Sequence, residues 1–196
     1  MKRNRRFWVL GTVLAFGAAL MLLTTFASAA PGKRAQHVRW DIISTIPPGP
    51  INPGGHASAT APDGDTITLT GSGHFVAPAS GKGSSAATGG GTWTATGGGS
   101  GTYRVTALVS WRFANFQNEV GRIDNIDEGR AANGVAVLKI AFSDGSTGVL
   151  TVGCHGPGAP PGIFEGIATT KGFKTYYAVQ PPAPGVDANR TLFHVR

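Results

Sequence analysis

The stretch "TYRVTALVSWRF", Thr102 to Phe113, constrains the fold more than any other part of the chain. Tyr103, Val105, Ala107, Val109, Trp111 and Phe113 alternate with Arg104, Thr106, Leu108, Ser110 and Arg112. A period of two sends successive side chains to opposite faces, as in a strand with one face on a core. A helix would scatter the same apolar residues around its circumference, so this segment predicts sheet.

The rest of the chain extends that reading. "TITLTGSGHFV", Thr66 to Val76, sets Ile67 and Leu69 between threonines, and "GVAVLKIAF", Gly134 to Phe142, is apolar almost throughout, as a strand covered on both sides would be. "SDGS", Ser143 to Ser146, then leads into "TGVLTVGC", and an Asp-Gly pair between two β-rich runs signals a hairpin. "GTWT" at Gly91 and "GTYR" at Gly101 flank "GGGSG" and suit the two arms of another hairpin, and "FEGIATT" and "FKTYYAV" predict a late one. "HVRWDIISTI", His37 to Ile46, reads as a first strand and "RTLFHV" as the last. Strands this short, with turn signals this regular, belong to sandwiches and barrels. The expected class is all-β: a single antiparallel β-sandwich or barrel-like domain of about eight to ten strands. A Pro/Gly-rich connector is expected at 47–56, and long loops at 79–91 and 117–133.

The N-terminus carries an export signal. "MKRNRR" is a basic start, Phe7 to Phe26 is a 20-residue apolar run, and "ASA" at Ala27 to Ala29 supplies the small residues of a cleavage site. Residues 1–29 are therefore expected to form a signal helix, leaving 30–196 as a secreted, extracellular domain. The alternative is a membrane anchor through residues 7–26, which are long enough to span a bilayer. Cleavage removes four of the 17 Lys and Arg and none of the 10 acids, leaving 13 against 10, a net +3. So small an excess gives no electrostatic case for nucleic acid. A domain of this length buries enough surface to fold without disulfides, and the lone Cys154 cannot form one within the chain.

Most catalytic patterns fail on context. "GKGSSA", Gly81 to Ala86, satisfies a dinucleotide-loop spacing, but no helix follows to receive a pyrophosphate. There is no G-x-S-x-G, H-E-x-x-H or paired C-x-x-C. Cys154 and His155 are neighbours, and along a strand neighbours leave on opposite faces, so Cys154 is expected in the core and His155 in solvent. "GPGAPPG" after them is a rigid corner that could line a binding mouth. Asp124, Asp127 and Glu128 offer hard oxygen ligands suited to Ca²⁺, without the ligand order of an EF-hand. Trp93, Tyr176 and Tyr177 lie in strand-like segments, where an outward ring can stack on a sugar. Trp111 is expected in the core.

The run "GVLTVGCHGPGAPPGIFEGIATTKGF" followed by "APGVDANRTLFHV" resembles an uncharacterised family of small secreted bacterial β-rich proteins. That resemblance implies export and a shared fold, and it carries no ligand or catalytic residue. The expected function is a non-catalytic binding or structural module for carbohydrate or a cell-envelope polymer, with Trp93, Tyr176, Tyr177 and His155 at the ligand. The alternative is a secreted enzyme with a site built from the 117–133 loop, His155 and Glu165. Two or more exposed rings on one face would mark the first, and a concave pocket with converging His and carboxylates the second.

Overall fold

The computed structural model describes residues 35–45, 49–78, 86–118, 121–179 and 189–196. All of these belong to one compact unit, Lys33–Arg196. The expected signal, residues 1–29 with its apolar run 7–26, and the Gly81–Ser85 part of the glycine-rich motif lie outside the described residues. Every regular element described is a strand, so the chain is all-β.

Thirteen strands follow in order among the described residues: β1 (Gln36–Ser44), β2 (Asn52–Pro53), β3 (Ala57–Thr60), β4 (Thr66–Leu69), β5 (Ser72–Ala77), β6 (Gly90–Ala95), β7 (Ser100–Phe116), β8 (Arg130–Phe142), β9 (Thr147–Cys154), β10 (Gly166–Lys171), β11 (Lys174–Tyr176), β12 (Ala178–Val179) and β13 (Arg190–Val195). β1 pairs with β5 and β13, β13 with β8, β8 with β7, β7 with β6, and β6 with β5. Each pairing is antiparallel, and the six strands close into a barrel. β4, β3 and β12 extend from β6, while β9, β10 and β11 extend from β8.

The predicted hairpins are present. β8 and β9 meet at the Asp-Gly turn, where Gly145 takes a φ of 88° that an L side chain rarely adopts and the Ser146 amide donates to the Asp144 carboxylate. β6 with β7 and β10 with β11 form the other two. Both predicted loops are shorter than expected. Arg130 to Asn133 already belong to β8, and Thr88 exchanges both backbone hydrogen bonds with His74 beside β5. The connector at 47–56 contributes β2, which pairs with the end of β1.

Strict alternation along β7 does not hold. Its ladder with β8 slips at Val105/Ala107, Leu108/Ser110 and Phe113/Asn115, and each slip inserts one unpaired residue that exchanges the two faces. Leu108 therefore points inward at 3% exposure while Val109, expected inside, is 45% exposed. Trp111 is only partly buried, its indole N–H donating to Gln36, and Phe113 reaches the surface. The bulges bend one long strand around the barrel.

The interior has two aromatic foci. Trp111 stacks edge-on against Phe75 and Phe193, near the fully buried Trp40, and Trp93 and Tyr103 pack on Phe142 at the other end. Outside, hydroxyls pair across β3, β4 and β6 as Ser58 with Thr68, Thr60 with Thr66, and Thr70 with Thr92.

Candidate functional site

One edge of β8 serves two partners. Arg130 to Ala132 pair with β13, and from Gly134 onward the same edge pairs with β9. β9 and β13 diverge from that point, and the fork between them opens a cleft of about 230 Å³. Its lining mixes the apolar Ile43, Ile51 and Leu192 with the polar Gln117, Arg122, His155, Glu165 and Arg190.

Hydrogen bonds fix the fork. Thr191 on β13 donates its hydroxyl to the Gly153 carbonyl on β9 at 2.5 Å. Glu165, just before β10, accepts the Thr191 amide on one oxygen at 2.7 Å and the His155 amide on the other. One carboxyl thus ties the start of β13 to the end of β9. The proline-rich corner behind it hangs on Asn133, which is fully buried, accepts the Gly156 amide at 2.7 Å and donates to the Pro157 carbonyl. The corner does line the cleft, through Gly156 and Pro157.

Cys154 and His155 part as their strand positions require. The thiol is 1% exposed, and its sulfur accepts a hydrogen bond from Gln117 at 3.1 Å. Burial, with the nearby Glu165 charge, pushes its pKa well above the ordinary thiol value, so it stays protonated and a poor nucleophile. His155 is exposed, with Nδ1 2.7 Å from the Ile163 carbonyl. Since that carbonyl only accepts, Nδ1 is the donor.

Glu165 is the perturbed group of the cleft. Burial pushes its carboxyl up to about 7, against the Thr191 and His155 amides and the positive charge of Arg190, which all favour the ionised form. Arg122 is fixed, donating from Nη2 to the Thr45 hydroxyl at 2.7 Å and from Nε to the Gly49 carbonyl.

The other predicted site residues lie elsewhere. Trp93 is 4% exposed, with the Lys171 ammonium 4.3 Å from its ring centroid. Tyr176 is also buried, its hydroxyl donating to Asp65 at 2.8 Å, while Tyr177 is 59% exposed. Of the three, Tyr177 alone offers a ring to solvent.

The acidic segment is engaged by arginine and histidine side chains. Asp124 stands 2.6 Å from Nε2 of the fully buried His194; burial acts against its ionisation, but that contact and the Ile126 amide hold its pKa below the usual carboxylate value. Glu128 receives Arg39, His74 and Arg196, and hydrogen bonding from His74, then Arg39, brings its pKa down to about 2. Asp127 sits between them at a φ of 41°. Among the described residues no three His, Cys, Asp or Glu side chains gather in a metal-holding group.

The fork thus unites His155 and Glu165 with Gln117 and Arg122 of the long loop. Sequence reasoning did not single out Arg190, Thr191 or Asn133. Arg190 opens the alternating "RTLFHV", where a strand-edge cation looks like any solvated residue. No family model, curated protein or solved structure matches this chain.

Proposed function

We propose that this chain is an exported binding protein that takes a small polar ligand into the cleft at the fork of β9 and β13. One observation carries the reading: a concave site lined by Glu165, His155, Arg122 and Arg190 together with the apolar Ile43, Ile51 and Leu192. Few polar groups set against an apolar wall are the general make-up of small-molecule sites. The volume of about 230 Å³ is below the roughly 300–1,000 Å³ of sites for drug-sized molecules, which favours a single sugar ring or a short acid. Burial of Trp93 and Tyr176 weighs against a flat glycan-stacking face. The basic, apolar leader supports export.

A screen of thermal unfolding against neutral sugars, sugar acids, amino acids and short carboxylic acids tests this. A compound present at a hundred times its Kd adds about 2.7 kcal/mol and raises Tm by roughly 5–10 °C. If no compound in any charge class moves Tm, the reading is wrong.

A second reading rests on Glu165 alone. A carboxyl titrating near 7 suits proton transfer at neutral pH, which would make the cleft catalytic. Consumption of a bound compound, followed by NMR, separates the two.

A further inference from the structure

We infer that the cleft holds its ligand through an oxyanion, a carboxylate or phosphate group, bound by the Arg190 guanidinium beside the Glu165 carboxyl. The inference rests on the cleft being a ligand site and adds the ligand's chemical class and its coupling to a proton.

Charge balance is the first support. Two arginines, Arg122 and Arg190, line the cleft against a single acid, Glu165, and the remaining polar lining is His155 with the uncharged Thr45, Gln117 and Thr191. Arg122 is committed to Thr45 and Gly49. Arg190 has no side-chain hydrogen-bond partner among the described residues, so its fork of donors is open to a planar oxyanion. Glu165 does not take that place. Its two oxygens are held by the amides of His155 and Thr191, and it senses Arg190 only through space.

An ionised Glu165 would repel an anion on Arg190, whereas a protonated one can donate its O–H to it. The groups facing Glu165 are Arg190 and Thr191 on β13 and Cys154 and His155 at the end of β9, while Gln117 and Arg122 on the loop share the cleft lining. Cys154 stays neutral, and Glu165 is the group whose proton the binding would require. With Glu165 titrating at about 7, its protonated fraction falls about 30-fold between pH 5.5 and 8.5. Binding that requires this proton weakens by the same factor.

Calorimetry on the purified full-length protein tests this with glucuronate, inorganic phosphate and glucose. Glucuronate or phosphate should bind and glucose should not, and the two anions distinguish a carboxylate from a phosphate ligand. The pH series is read with glucuronate, whose carboxylate stays ionised throughout, and should show the loss of about 30-fold. Arg190→Gln should abolish anion binding. Glu165→Gln should weaken binding at pH 5.5 and flatten the pH series, while His155→Gln should leave the series steep. Circular dichroism checks that each variant is folded; if Arg190→Gln is not, Arg190→Lys replaces it and should bind at least about tenfold more weakly for want of the planar fork. Glucose binding as well as glucuronate would overturn the oxyanion inference and leave the cleft reading standing. So would anion binding that survives Arg190→Gln, or that does not change with pH. Absence of all binding, together with a flat thermal screen, would remove both.

Discussion

Replacing Glu165 with glutamine should remove a pH-dependent share of the protein's stability. In the folded chain the carboxyl titrates at about 7, whereas its ordinary value is 4.5, and each pH unit between them is worth about 1.4 kcal/mol. Below pH 4.5 the group is protonated in both the folded and unfolded states and makes no difference. Between 4.5 and 7 the folded state holds the proton more tightly, so raising the pH erodes stability, and above 7 the loss is complete. The difference approaches about 3.5 kcal/mol, an upper figure of order of magnitude because the carboxyl keeps some contact with water. Urea unfolding followed by tryptophan fluorescence at pH 4.5, 5.5, 6.5 and 7.5 measures it as wild type minus Glu165→Gln. That subtraction cancels the histidines and the surface carboxylates. The difference should fall steadily across the series, and a flat or rising one would refute the assignment of a buried, proton-holding carboxyl at the fork.

Three further perturbations probe the frame around the cleft. Leu138→Ala, at a fully buried position opposite Leu108, should cost about 2–5 kcal/mol in urea unfolding, and a cost under 1 kcal/mol would mean the barrel interior is loosely packed. Asp124→Ala leaves the fully buried His194 without its carboxylate partner and should cost about 1–3 kcal/mol, with hydrogen exchange quickening first over residues 121–129; unchanged protection there would show that the pair does not hold that segment. The Cys154 thiol should react with a disulfide reagent only as fast as the protein opens, and labelling at the rate of a free peptide thiol would contradict its burial.

The parts of the fold that lie close together in sequence were legible. The Asp-Gly turn after Phe142 and the glycine loop before Gly101 set their hairpins through local backbone preferences, which a short stretch of sequence carries whole. The separation of Cys154 from His155 was equally local. β7 was harder. Its alternation announced a strand, yet the bulges that place Leu108 inside and Val109 outside depend on a partner, β8, too short to match it residue for residue. The cleft was less visible still. His155 and Glu165 were candidates by residue type, but Arg190 reaches them only because β13 pairs with both β1 and β8, contacts spanning most of the chain. Trp93 and Tyr176 were candidates for the same reason, residue type, and burial rather than pattern decided their place.

The central claim is that the fork of β9 and β13 is where this protein meets its ligand, and amide chemical-shift mapping tests it most directly. Titration with the compound that raises Tm most should move the amides of Gln117, His155, Glu165 and Thr191 first, leaving the threonine-lined face of β3, β4 and β6 unchanged. Shifts confined to that face, or to the loop carrying the exposed Phe173, with the fork silent, would contradict it.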